Sequence, residues 1–248
     1  MKNETQGTDY KIQEEKFVKW SEGTNATTYD VVQIIRRLSE SPKEKLLVLD
    51  IGGGIGTVAR AIADSMDKVT VDVIDNSSLA RRHFVSGERV NLVYEDFLTT
   101  KIERKYDAII FRTVLHHIVT NSSRSTKLEQ SRAIAKAFQI LADDGMVFTT
   151  ENFYEPFFFD DISGEIIFQL TKSKTFAPLF RRLGANTAGE GVRFRSYKSW
   201  ITLFKDNAFE VTGEAVKEQR QMPTWQKWPF LCKDTYQALL EFRKCSSV

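Results

Sequence analysis

The sequence predicts an α/β fold, a mostly parallel sheet with helices on both faces. Three observations predict it. Apolar, β-branched runs recur at LLVLDI, KVTVDVID, RVNLV, YDAIIF and MVFTT, with helical stretches between most of them. Runs of this length and composition suit strands buried on both faces of a parallel sheet, and their alternation with helices is the pattern of βαβ units. The first run passes directly into the glycine loop GGGIG and the helical TVARAIADSM, a strand, turn and helix that lets backbone approach a ligand closely. Two alternating segments, Ala208 to Lys217 and Lys233 to Lys244, close the chain as further strands.

Taken in order, residues 11–20 and 25–39 read as helices, the second with Val31, Ile34, Ile35 and Leu38 on one face. Ser41-Pro42 ends that region ahead of the first strand. Lys68 to Asp75 is the second strand; Asp72 inside it is expected to face solvent at an irregular point. Asn76 either caps the helix that begins at Ser77 or Ser78 or assists at the strand end. Arg89 to Phe97 is the third strand and Tyr106 to Thr113 the fourth, followed by VLHHI. A helix from Ser125 to Leu141 is stopped by Asp143-Asp144-Gly145. The fifth strand, MVFTTENFY, delivers Glu151, Asn152 and Tyr154 to its C-terminal end, where ligands collect in open α/β sheets. Residues 155–192, with the run PFFFDD, are an insertion read as a helical lid over the acceptor site. Ser196 to Asp206 is an amphipathic helix, and MPTWQKWPF bridges the last two strands, its Trp225 and Trp228 either packing that connection or lining a pocket.

Composition bounds the function. At 248 residues the chain can form one large α/β domain with a lid. A net charge of +2 gives no global footprint for holding long nucleic acid through its phosphates, so a nucleic-acid partner is demoted. Two cysteines, Cys232 and Cys245, are too few for a disulfide framework or a zinc cluster, and no metal-ligand spacing is present. The polar N-terminus lacks a signal-peptide core and no run reaches the ~18 apolar residues of a membrane span, so a cytoplasmic protein without a membrane partner is expected.

The register of the glycines separates two kinds of nucleotide cradle. A dinucleotide fingerprint, G-x-G-x-x-G, would place its third glycine at Thr57; here Gly52, Gly54 and Gly56 are spaced G-x-G-x-G around Gly53, with Asp50 two residues ahead. This resembles motif I of the class I S-adenosylmethionine (SAM) dependent methyltransferases, and the resemblance extends from residue 46 to residue 244. It implies a Rossmann-like, seven-stranded sheet of order 3-2-1-4-5-7-6 with an antiparallel last strand. The implied organisation is one domain: a helical cap over 1–45, a SAM-binding core over 46–154, the lid insertion over 155–195 and the closing part of the core over 196–248.

The resemblance also assigns a cofactor, SAM, with S-adenosylhomocysteine as product. Asp50, an acid at the strand end, suits the cationic methionine end of SAM better than a pyrophosphate. Asp75 follows Gly56 by 19 positions, near the ~20 expected of an acid that accepts two ribose hydroxyls. Asp96 and Phe97 match an adenine pocket, the acid for the exocyclic amine and the aromatic for the ring face; Asn76 and Arg112 complete the cofactor set. Trp20 and Tyr29, from the preceding helices, are aromatic candidates for the acceptor pocket or simply pack the sheet edge.

Methyl transfer is an in-line displacement, so catalysis is mostly alignment and exclusion of water, with a general base needed only if the acceptor must lose a proton. His116 and His117 stand together at the exit of the fourth strand, where neighbouring side chains diverge. The resemblance favours His117 as the one facing cofactor and acceptor, acting as a base or only shaping the pocket. Arg181, Arg182, Arg193 and Arg195 could recognise an anionic acceptor, Arg193 foremost, or form solvated surface. No Asn/Asp-Pro-Pro-aromatic motif and no Pro-Cys nucleophile follows the fourth strand, which weakens the amino-methylating nucleic-acid and protein subclasses and the cytosine C5 enzymes. The expectation is a small-molecule O- or N-methyltransferase, with a homodimer left open. The rivals are an RNA or protein methyltransferase, a non-catalytic SAM-binding protein and, behind them, a nicotinamide oxidoreductase.

Overall fold

The structure is a computed structural model that describes residues 28–175, 177–178, 188–220 and 227–245. Its strands form a seven-stranded sheet of order β3-β2-β1-β4-β5-β7-β6, the order and Rossmann-like class that the resemblance implies. The chain divides after Ile102 into two compact units.

The first unit contains α1 (Tyr29–Ser39), β1 (Leu46–Ile51), α2 (Thr57–Ser65), β2 (Val69–Ile74), α3 (Ser78–His83) and β3 (Val90–Val93). β1 pairs in parallel with β2, Leu46 opposite Val69, and β2 with β3, Val71 opposite Val90. Val48, Leu49, Val71 and Val73 are buried, as two-sided burial of a parallel sheet demands. On α1, Val31, Ile34 and Leu38 form the buried stripe read from the sequence. Asp72 does not face solvent: it is fully buried and accepts a hydrogen bond of 2.9 Å from Asn91 Nδ2 on β3. An acid can sit in a parallel strand when the neighbouring strand supplies its donor. The cap of α3 is Ser77, whose hydroxyl accepts from the Leu79 and Ala80 N–H groups, rather than Asn76. The third strand is also shorter than expected, ending at Val93 before Asp96 and Phe97.

The second unit contains β4 (Tyr106–Arg112), a short 3-10 turn (Leu115–His117), α4 (Ser123–Ile140), β5 (Leu141–Pro156), α5 (Ile162–Lys172), α6 (Tyr197–Asp206), β6 (Phe209–Arg220) and β7 (Cys232–Lys244). β5 pairs in parallel with β4 on one side and antiparallel with β7 on the other, from Val147 opposite Phe242 to Pro156 opposite Cys232. The Asp143-Asp144-Gly145 stop lies in the irregular opening of β5, where the register to β4 shifts, and α4 has ended by Ile140. Of the 155–192 insertion, α5 is a described helix that buries Ile167 and Phe168. Phe204, Phe209 and Phe242 build an aromatic core beneath β6 and β7, with Phe204 and Phe242 stacked at 3.9 Å. Among the described residues no helix is long and apolar enough to cross a membrane.

Candidate active site

The glycine loop is shaped by what lies beneath it. Asp50, 1% exposed at the end of β1, sits so close under Gly53 that a Cβ there would come within 2.5 Å of Asp50 Oδ2 and 2.9 Å of Val73 Cγ1. Only glycine lets the loop lie this low over the carboxylate. Gly56 turns the chain into α2 with φ of +82°, and a Cβ there would also meet the Phe84 ring at 2.6 Å. Gly54 N–H donates to Asp75 Oδ2 at 2.9 Å, which ties the loop to the end of β2. Ser77 N–H donates to the other oxygen, Oδ1, at 2.8 Å. Burial raises the pKa of Asp75, and these two N–H donors oppose the rise. Each carboxylate oxygen has two lone pairs, so one on each remains for the paired hydroxyls of a ribose.

Asp96 is more committed to its own loop than the sequence suggested. Its Oδ1 accepts from the Leu98 and Thr99 N–H groups at 2.7 and 3.3 Å, and its Oδ2 from Asn76 Nδ2 at 3.1 Å. Asn76 therefore serves to hold Asp96. Phe97 is 8% exposed, packed within the first unit beside Asp96. Tyr29 is exposed on α1, and Trp20, the other aromatic candidate, lies outside the described residues.

In the second unit the chain leaves β4 at Arg112, half-buried opposite Thr150, through Thr113, a β-branched residue held at φ of +51°. Such a conformation is sterically costly and persists only where surrounding structure enforces it; Thr113 N–H donates to Thr150 O at 2.7 Å. The histidines then fall in the 3-10 turn, which leaves their rings in contact rather than diverging as expected, 4.2 Å apart between centroids. His116 is buried and its Nδ1 lies 2.6 Å from Glu151 Oε2, while Glu151 Oε1 accepts the Leu115 N–H at 2.8 Å. His117 keeps an exposed edge. Protein packed around the rest of its ring, and secondarily the neighbouring His116, lower the His117 pKa from the usual imidazole range. The open edge keeps part of the ring's hydration, which tempers the drop without changing its direction.

Four rings form a column across this site. His117 and His116 are 4.2 Å apart, His116 stacks on Phe194 at 4.6 Å, and Phe194 stacks on Tyr154 at 4.4 Å. Tyr154 thus joins the histidines through Phe194, a residue not singled out from the sequence. Asn152 is half-buried and accepts from Gln237 Nε2 of β7 at 3.2 Å.

Two acceptor candidates are corrected. Glu151 is fully buried with both oxygens engaged by the histidine turn, so it can reach an acceptor only through His116. Arg193 is also fully buried; its Nη2 lies 3.4 Å from Glu165 Oε2 and its Nη1 donates to Asp161 O at 3.3 Å. Arg195 Nη1 donates to Asp161 Oδ2 at 3.2 Å. Burial lowers the pKa of both arginines, Asp161 countering it in each case. These guanidinium groups are internal struts rather than anion receptors; Arg181 and Arg182 lie outside the described residues. Sequence reasoning missed Thr113, Gln130, Asp161 and Phe194. Their partners are distant in sequence, and only the PFFFDD run drew attention to the neighbourhood of Asp161.

A strand-borne glycine loop seated over Asp50 and tied to Asp75 marks a nucleotide-cofactor α/β protein of the methyltransferase class. The methyltransferase domain family matches residues 24–214, and the chain belongs to that family. A tRNA1(Val) (adenine(37)-N6)-methyltransferase from Aliivibrio fischeri is 33% identical over 93 residues, 35% of this chain and 38% of that protein. The mitomycin 7-O-methyltransferase MmcR superposes with a TM-score of 0.53 at 15% identity, over 87% of this chain and 54% of that one. The N-methyltransferase NodS from Bradyrhizobium japonicum, in complex with S-adenosylhomocysteine, superposes with a TM-score of 0.52 at 16% identity, over 89% of this chain and 90% of that one. The match to the tRNA enzyme and the one to MmcR thus each span little more than half of the relative's length or less.

Proposed function

We propose that this protein is a SAM-dependent methyltransferase acting at oxygen or nitrogen of a small molecule. The observation that carries the reading is the cross-link of the G-x-G-x-G loop to Asp75, which leaves one lone pair on each carboxylate oxygen for a diol. Asp50, the loop and Asp75 would hold the methionine and ribose parts of SAM, with Asn76 and Asp96 at the adenine. When bound, SAM supplies an electrophilic methyl on a sulfonium. The protein's own task is alignment and exclusion of water. His117, neutral at physiological pH and open on one edge, accepts a hydrogen bond from the acceptor and takes its proton when the acceptor is a hydroxyl. His116, fixed by Glu151, holds that ring in place through the column.

The family match, and the likeness of fold to proteins solved with SAM or with S-adenosylhomocysteine, NodS among the latter, support the cofactor. The partial match to a tRNA enzyme makes RNA the rival acceptor, against which stand the net charge of +2 and the sequence FRTVLHHI in place of an Asn/Asp-Pro-Pro-aromatic motif. Calorimetric titration with SAM, S-adenosylhomocysteine and NAD tests the reading: the two sulfur ligands bind and NAD does not. Binding of NAD alone would overturn it. Release of S-adenosylhomocysteine with a panel of phenols, amines and bulk tRNA then separates acceptors.

A further inference from the structure

Gln130, in the middle of α4, is fully buried and uses every part of its amide. Its Nε2 donates to Leu115 O at 3.0 Å and to Arg193 O at 3.2 Å, while its Oε1 accepts from Arg195 Nε at 2.9 Å. Leu115 opens the histidine turn. Arg193 N–H donates to His116 O at 2.9 Å, and Phe194, between the two arginines, stacks on the His116 ring. Arg195 continues to Asp161 and Ser199, and Arg193 to Asp161 and Glu165, so the chain of bonds runs from α5 and α6 to the histidines.

An amide buried in this way is costly unless both its donor protons and its oxygen are satisfied. Apolar residues would fill an α4 core position without that cost, as Ala133, Ile134 and Ala137 do on the same helix. What the amide adds is direction: it fixes one carbonyl of the histidine turn and one of the 193–195 segment at a common point. The Leu115–His117 turn is a single short turn, closed by His117 N–H to Val114 O and Ile118 N–H to Leu115 O, and it leans on its surroundings for its orientation.

We propose that Gln130 is a positioning residue that couples the inserted α5 segment and its Asp161–Arg195 pair to the histidine turn. The inference rests on His117 being the acceptor-side group. Shifts in the insertion are then passed to His117 through two carbonyls gripped by one side chain, and the acceptor, on meeting the insertion, sets the ring that meets its reactive atom.

Two variants test this. Gln130→Leu removes the whole amide at similar volume. Gln130→Glu keeps an oxygen for Arg195 but sets a second oxygen and a negative charge against the Leu115 and Arg193 carbonyls; because that charge alone raises a histidine pKa, its kcat decides the matter where Gln130→Leu fails to fold. Each is read by the NMR titration of the His117 imidazole, by the affinity for S-adenosylhomocysteine and by kcat and KM. The expected result is a His117 titration displaced upward, toward the ordinary imidazole range, with kcat lower by about 10–100-fold, acceptor KM changed less than about threefold and S-adenosylhomocysteine affinity unchanged. A folded Gln130→Glu protein whose kcat matches the wild type overturns the proposal. The titration needs no activity, so a wild-type protein that binds no sulfur ligand defeats the methyltransferase reading while leaving the coupling still measured.

Discussion

Gly53 has no room for a side chain, because the carboxylate of Asp50 and a methyl of Val73 already occupy the space. Gly53→Ala is expected to lose about 1–3 kcal/mol of stability through overpacking and to weaken S-adenosylhomocysteine binding, measured by urea denaturation and calorimetry on the same preparation. Asp75 has a different function, joining the loop to β2 with one oxygen and capping the following turn with the other. Asp75→Ala removes both anchors and the proposed ribose acceptor, so S-adenosylhomocysteine affinity should fall by about 10–100-fold, the loss of charge-assisted hydrogen bonds. His117 makes a pH-dependent contribution. Its folded pKa lies below the ~6.5 of an unfolded histidine. The unfolded chain therefore takes up the proton first on acidification. The contribution is whole above about pH 6.5 and declines as pH falls below it. Urea midpoints at pH 7.5 and pH 5 should separate more for the wild type than for His117→Asn.

At the level of elements, the backbone of α5 lies tightly against the 193–195 segment: a Cβ on Gly164 would stand 2.0 Å from Phe194 O. Alanine is favoured over glycine within a helix by about 1 kcal/mol, yet a clash with backbone cannot be relieved by a rotamer change. Gly164→Ala should thus destabilise by about 1–3 kcal/mol and depress kcat more than S-adenosylhomocysteine binding, since Phe194 bears on His116. The strands were readable from sequence because two-sided burial forces uninterrupted Val and Ile runs, as in Val69–Ile74. Asp72 was misread because its donor, Asn91, lies on another strand. The histidines could be placed at the exit of β4, but only the resemblance, not the residues, favoured His117 as the acceptor-side one: a 3-10 turn sets their directions, and the acid paired with His116 is 35 positions away. Arg193 and Arg195 looked like surface charge for the same reason, their common partner Asp161 lying 32 and 34 positions earlier.

For the whole molecule, the strand order followed from one local feature, the G-x-G-x-G loop and the family it resembles, rather than from any property of strand pairing that sequence displays. The last two strands were found by alternation, within three residues at their ends, and their antiparallel entry beside β5 agrees with the implied order. The proposed cofactor track, in the first unit, was the most legible feature, because loop, acids and spacing lie within one short span of chain. The proposed acceptor side, in the second unit, draws on residues from β4 to α6, whose contacts form only after the chain has returned on itself.

The same strand order leaves β6 at one margin of the sheet. Its pairing with β7 is broken by register shifts at Val211/Gly213 and Val216/Glu218, and Glu210, Thr212 and Glu214 stand exposed along it. Bulges and charge on a border strand make it a poor template for a strand from another molecule. This device bears on shelf life and yield rather than on chemistry: it keeps a crowded solution of folded chains from growing into shared sheets. Replacing Glu210 and Thr212 together by valine should leave S-adenosylhomocysteine binding intact while making light scattering rise earlier on concentration or mild heating.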